Sequence, residues 1–319
     1  MEARPALLLL GCSRMRYLYH SQVSSCSDDP YNWQWAAPAR SQPPHQRNLS
    51  IVWRGRTYQN AEMSAGALCR AGAPLAALAY LSHYGVSPDR VYFSPWRYHL
   101  HEGWGEAQPA DSAALSVEAL RRFARRAPAG ASVVVVYASL VWDLARRDEH
   151  FATQPHGAWA REFAANYSAL TRELRAQLPP TAAALLLALE YEVSPALQWW
   201  GQPAEMPRVS PQLPHLWQLA MGAALRQARA LRAHIVPLLP NVSKLGARRM
   251  LRADGLHPTA AACEMVWSSI CFGVARALNW ADPLSARWAW GNGRAPWGAP
   301  KLRRLDTTVG RGCERPALP

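Results

Sequence analysis

The run Ser132–Tyr137, with Val133-Val-Val-Val136 at its centre, is the feature that most restricts how this chain folds. Four β-branched residues in succession lose side-chain freedom in a helix and pack well on a pleated surface. The run does not alternate polar with apolar, so both faces of such a strand must be covered. Four further runs read as strands: Ala6–Leu10, Leu49–Arg54, Ala182–Leu189 and His234–Leu239. Between them lie amphipathic stretches at Ser112–Arg126, Ala158–Leu178, Leu213–Leu231 and Thr259–Leu278. In Ala158–Leu178 the apolar residues Trp159, Phe163, Tyr167, Leu170 and Leu174 recur at helical spacing. Strand alternating with helix predicts an α/β layered fold on a mainly parallel, five-stranded sheet.

With 319 residues, half of them hydrophobic, the chain is long enough for one sizeable core. The expected organisation is one domain over residues 1–278, with a loop insertion at 24–46 and a Trp/Pro/Arg-rich extension at 279–319, partly disordered. The longest apolar run, around Thr181–Leu189, is too short to cross a bilayer as a helix. The formal charge of +13 comes almost wholly from arginine, Lys244 and Lys301 being the two lysines. Those arginines are scattered and no aromatic-basic module accompanies them, so no nucleic-acid partner is expected.

Six cysteines (Cys12, Cys26, Cys69, Cys263, Cys271, Cys313) show no CxxC spacing, which disfavours a zinc or thioredoxin-type site and leaves disulfides open. Cys263 and Cys271 read as core residues of one helix. The sequons Asn48-Leu-Ser, Asn166-Tyr-Ser and Asn241-Val-Ser favour the secretory pathway or Golgi lumen. Met1–Leu10 is too short for a signal-peptide core and reads better as a first strand. Membrane association is then expected only through an upstream anchor outside this sequence. A rival reading of Leu9-Leu-Gly-Cys12 is a lipobox, which would anchor the chain through Cys12 after cleavage.

Chemistry concentrates at two places. Asp254-Gly-Leu-His257 sets a carboxylate and an imidazole three residues apart, so that Asp254 can hold one ring nitrogen of His257 while the other acts as base. Near the start, a strand runs into Gly11-Cys12-Ser13-Arg14, a turn and helix start that present a serine at the carboxyl edge of a sheet. Ser13, Gly55, the segment Ser139-Leu-Val-Trp142-Asp143 and the Asp254/His257 pair each follow an expected strand, and parallel α/β sheets put their active groups at those ends. Each has a plainer reading. Ser13 is also a favoured N-cap, Asp143 a helix cap, and His257-Pro258 a helix start with proline at its first position.

The order of these motifs resembles the SGNH (GDSL-type) hydrolase superfamily, which carries a Gly-Asp-Ser block first and an Asp-x-x-His block last. Gly11-Cys-Ser-Arg-Met-Arg-Tyr-Leu-Tyr-His-Ser21 is similar to the opening of its PC-esterase branch, which includes the luminal domain of sialate O-acetyltransferases and plant polysaccharide O-acetyltransferases. Ser139-Leu-Val-Trp-Asp-Leu144 resembles that branch's Trp-Asp pattern. The resemblance implies a three-layer α/β/α fold and a serine-dependent acyl-enzyme working on carbohydrate hydroxyls without metal or organic cofactor. Its partners would be an acyl or acetyl donor and a carbohydrate acceptor.

By the same resemblance, Ser13 would be nucleophile, His257 base and Asp254 its orienting carboxylate. The oxyanion hole would draw on Ser13, on a second-block glycine (Gly55, then Gly66) and on Ser139 or Trp142. Arg14 and Arg16 are candidates for an anionic substrate group, against the plainer reading of solvated arginines. Glu190 and Glu192 are further candidates on the same edge. Trp33, Trp35, Trp96, Trp104, Trp199 and Trp200 are candidates for exposed indoles that stack on sugar rings. One departure stands out: the family's aspartate is Cys12 here. Cysteine is a poor acceptor unless ionised, which keeps open a catalytically impaired glycan-binding or scaffold protein on the same fold.

Overall fold

The structure, a computed structural model, describes residues 4–33, 35, 51–53, 56–58, 64–83, 85–86, 112–138, 156–179, 183–189, 213–237 and 258–279. In chain order the elements are β1 (Pro5–Gly11), α1 (Ser13–Cys26), β2 (Ile51–Trp53), β3 (Arg56–Tyr58), β4 (Ser64–Leu68), β5 (Ala77–Ser82), α2 (Ser112–Arg126), β6 (Ser132–Ala138), α3 (His156–Ala176), β7 (Ala183–Leu189), α4 (Leu213–Leu231), β8 (His234–Pro237) and α5 (Ala260–Ala277).

Six strands form one sheet in the order β4-β5-β1-β6-β7-β8, while β2 and β3 pair antiparallel in a separate two-stranded ladder. β4 joins antiparallel to β5, and the pairings β5–β1, β1–β6, β6–β7 and β7–β8 are parallel. β1 and β6 lie in the middle, which is what two uninterrupted apolar runs require: every residue of both is buried.

Alternation along the central strands sorts the core into two halves. Ala6, Leu8 and Leu10 of β1, with Val133, Val135 and Tyr137 of β6, pack against apolar residues of α2, α3 and α4. Leu7 and Leu9, with Val134, Val136 and Ala138, pack against α1 and α5. Helices therefore cover both faces, and the fold is the expected three-layer α/β/α sandwich with a mainly parallel sheet. The helical spacing in α3 is confirmed: Trp159, Phe163, Tyr167, Leu170 and Leu174 are all buried. Cys263 and Cys271 are buried core residues of α5, as expected.

One expectation about the sheet is corrected. Among the described residues the sheet holds five parallel strands, as expected, with β4 added antiparallel at its edge, but Leu49–Arg54 does not supply the second parallel strand. Ile51–Trp53 belongs to the separate ladder, and the neighbour of β1 is Ala77–Ser82. That segment, Ala-Leu-Ala-Tyr-Leu-Ser, holds no β-branched residue, and alanine favours helix in isolation. Partnership with β1 on one side and β4 on the other overrides that preference.

The start of the expected 24–46 insertion is also ordered. α1 continues to Cys26, which forms a disulfide with Cys69 just past β4. Trp35 is 1% exposed, with its ring edge-on to Phe123 at 5.5 Å and its indole N–H donating to the Ala65 carbonyl at 3.1 Å. It is a core residue and not an exposed sugar platform. A fully apolar pocket with one matched acceptor is where a large indole releases most free energy. Trp33 is half-buried and packs 5.3 Å from the same phenylalanine.

The lipobox reading fails as well. β1 is hydrogen-bonded on both sides, and Cys12 is 0% exposed within the core. Cleavage after Gly11 would remove the central strand of the sheet.

Residues 280–319, and with them nearly all of the expected C-terminal extension, lie outside the described residues. Among the described residues, no helix is long and apolar enough to cross a membrane.

Candidate active site

Counting the parallel strands alone, the sheet order is second-first-third-fourth-fifth, since β5 and β6 flank β1 on opposite sides. Successive connections from β1 thus leave in opposite directions, which makes the carboxyl ends of β1 and β6 the switch point of the sheet. In open α/β sheets ligands bind at this reversal. β1 ends at Gly11 and α1 begins at Ser13, so the only residue between strand and helix is Cys12.

The closeness of that turn follows from packing. A Cβ on Gly11 would stand 2.3 Å from the Ala138 carbonyl oxygen of β6 and 2.7 Å from Cγ of Met15 in α1. Only glycine lets the turn enter so near the neighbouring strand and helix. Ser13 is half-buried at the first helical position. It is not the N-cap: Cys12 is, in extended backbone (φ −76°, ψ −170°), and its carbonyl accepts from the N–H groups of Met15 at 2.9 Å and Arg16 at 3.3 Å. The positive end of the helix dipole falls at Ser13, where negative charge on or beside an attacking oxygen is favoured.

Cys12 makes no side-chain cap hydrogen bond. Its thiol packs instead in the half of the core that holds α2, α3 and α4. An aspartate at an N-cap accepts from backbone N–H groups of the first turn, a bond that the Cys12 side chain does not make.

Arg14 is 2% exposed, which excludes the plainer reading of a solvated arginine. Arg16, two residues further along α1, is half-buried. Four residues beyond it, the enclosed Nε2 of His20 has no hydrogen-bond partner. Burial, reinforced by the Arg16 charge, pushes the His20 pKa down to about 3.

The end of β5 holds a group that sequence reading missed. His83 is 0% exposed and donates its backbone N–H to the Gly11 carbonyl at 2.8 Å. Its Nδ1 lies 2.7 Å from the Ser116 hydroxyl of α2, and its Nε2 lies 3.1 Å from the Tyr137 hydroxyl of β6. Two residues further on, Gly85 has φ +110°, backbone that glycine adopts readily. With β5 overlooked, no sequence signal placed either residue after a strand that flanks β1.

Asp254 and His257 lie outside the described residues, as do Gly55, Ser139, Trp142, Asp143, Glu190 and Glu192. Described structure resumes immediately after His257. Pro258 is buried, and Thr259 is the N-cap of α5, its side chain accepting from the Ala262 N–H at 3.3 Å. Proline therefore precedes the cap and is not the first helical residue, a correction to the simple helix-start reading. The helix that follows His257 packs directly on the helix that Ser13 begins. The premise for Gly55 is corrected with that for β2, because its flanking strands are outside the main sheet. Gly66, on the antiparallel edge strand, lies against the Trp35 indole, where a Cβ would come within 2.5 Å of the ring. Its role is to make room for that ring.

No protein-family model matches the chain, and no curated protein matches it. Among solved structures it is similar to a carbohydrate acetylesterase from Sinorhizobium meliloti, with 12% identity and a TM-score of 0.41 over 87% of this chain and 98% of that one. An acetylxylan esterase from Geobacillus stearothermophilus shows 11% identity and a TM-score of 0.38 over 88% and 96%. An alpha/beta hydrolase enzyme from the metagenome of Lake Arreo, Spain, shows 10% and 0.37 over 92% and 99%. At this level of identity and superposition the activities named belong to those proteins. The function of this chain rests on its own residues.

Proposed function

We propose that this protein transfers or hydrolyses acyl groups, acetyl foremost, on carbohydrate hydroxyls through a serine acyl-enzyme. The observation that carries the reading is the place of Ser13: first residue of a helix, separated from a central strand by Cys12 alone, at the strand ends where the sheet order reverses. The Asp254-x-x-His257 motif ends just before the helix that packs on α1. His257 would take the serine proton as the hydroxyl attacks the acyl carbonyl and pass it to the leaving alkoxide as the donor's ester bond breaks, and Asp254 would orient and charge-balance the imidazole. On the second half-reaction His257 would activate a sugar hydroxyl or water. The two outcomes, transfer and hydrolysis, differ only in which acceptor reaches the acyl-enzyme.

Within the oxyanion hole, Ser13 would contribute its own N–H, with Ser139 or Trp142 from the segment after β6. Gly85, at the end of the strand that truly flanks β1, replaces Gly55 as our choice for the glycine donor. Arg14 and Arg16 would face an anionic group of donor or acceptor. The Cys26–Cys69 disulfide supports a secretory or Golgi-lumenal setting, where such bonds persist.

Labelling by a fluorophosphonate serine probe tests the reading. Label should be lost in Ser13→Ala and fall by about a thousandfold or more in His257→Ala, with thermal midpoints near wild type. Labelling that survives Ser13→Ala overturns it. The uncapped Cys12 thiol favours one second reading, an impaired enzyme that binds glycans. It predicts that well-folded wild type fails to label while Cys12→Asp labels.

A further inference from the structure

His83, Ser116 and Tyr137 form a polar chain at a place where a layered core is otherwise apolar. All three are buried to 1% exposure or less. Burying an imidazole and two hydroxyls costs free energy unless each finds partners, and here they find one another. A neutral imidazole has one donor and one acceptor nitrogen, and a hydroxyl can serve either, so both tautomers satisfy the chain.

Its location is what gives it consequence. His83 immediately follows β5, Tyr137 is in β6, Ser116 is in α2, and the His83 backbone N–H holds the Gly11 carbonyl of β1. Three strand ends and a helix are thereby joined directly beneath the turn that presents Ser13. The far side of the chain is equally fixed. The His83 ring meets Tyr137 edge-on at 5.2 Å, and Tyr137 packs 5.7 Å from Tyr167 of α3. Tyr167 continues to Phe163 at 5.5 Å and Phe163 to Trp159 at 5.3 Å. A column of rings along about two turns of α3 thus sets the Tyr137 hydroxyl, which sets the imidazole.

We propose that His83 is a positioning residue for Ser13: through Tyr137 and Ser116 it clamps the ends of β5, β1 and β6 so that the Gly11-Cys12-Ser13 turn holds the serine in attacking geometry. This rests on the reading of Ser13 as nucleophile. Misplacement of a reacting group by about 1 Å costs on the order of a hundredfold in rate, so a clamp at this point is worth its buried polar groups.

The test uses the full chain and two conservative variants, Tyr137→Phe, which keeps the aromatic column, and Ser116→Ala. Three quantities are read per folded molecule: the rate of fluorophosphonate labelling, kcat and KM on p-nitrophenyl acetate, and amide hydrogen exchange of peptides covering residues 10–15 and 183–189. Labelling and kcat should each fall about tenfold with KM unchanged. Exchange should quicken in 10–15 and stay constant in 183–189. Unchanged labelling, kcat and local exchange in both variants, whatever their thermal midpoints, overturn the proposal. If wild type itself does not label, the nucleophile reading fails separately, and exchange then decides the clamp alone: faster in 10–15 sustains it, unchanged rejects it.

Discussion

Gly11 and Ala138 face each other across β1 and β6 so closely that a Cβ on the glycine would meet the Ala138 carbonyl oxygen at 2.3 Å. The obstructing atom is backbone in a central strand, which cannot swing aside as a side chain does. Gly11→Ala should therefore destabilise the fold by about 3 kcal/mol, at the upper end of overpacking costs. Urea unfolding monitored by circular dichroism measures it, and a loss below 1 kcal/mol would show that the strands yield.

The Cys26–Cys69 bond closes a loop of 43 residues in sequence separation and ties the end of α1 to the edge of the sheet. Chain-entropy arithmetic for a loop of that size gives about 4 kcal/mol. Replacing both cysteines by serine should lower the unfolding free energy by roughly that amount. Adding dithiothreitol to wild type should move its thermal midpoint toward that of the double variant, and leave the double variant unmoved.

His20 is held neutral in the folded state, its pKa at about 3 against an ordinary 6.5. The unfolded chain therefore binds the extra proton first. Stability from this group is complete above about pH 6.5 and declines as pH falls toward 3. His234, also lowered by burial and by Arg276, acts in the same sense. Thermal midpoints of wild type should fall between pH 7 and 4, and His20→Gln should fall less over the same range. Equal slopes for the two proteins would remove His20 as a contributor.

Trp35 fills a pocket between Phe123 and Gly66 and satisfies the Ala65 carbonyl. Trp35→Ala should cost about 3–5 kcal/mol. Trp35→Phe should cost less, since it keeps an aromatic ring and loses one buried hydrogen bond of about 1 kcal/mol. Denaturant titration of both variants orders them, and equal costs would show that the indole N–H contact dominates.

Local pattern determined most of the architecture. Val133–Val136 and Leu7–Leu10 name their strands because uninterrupted apolar runs of that length are stable only when covered on both faces. The helix Ser112–Arg126 and the apolar face of α3 follow from a period that no strand shares. Gly11-Cys12-Ser13 was legible as a strand-to-helix turn because its flanking elements were.

Tertiary pairing decided what local preference misreads. Ala77–Ser82 is alanine-rich and becomes a strand only because β1 and β4 supply its hydrogen-bond partners, while Ile51–Trp53 has strand-forming residues yet pairs elsewhere. His83 and Tyr137, 54 residues apart, carry no mutual signal in sequence. Trp35 reads as a loop indole until Gly66 and Phe123 close around it. Periodicity is local and so is written in the sequence; which strand ends meet is decided by the order of the sheet, which brings His83 against Tyr137.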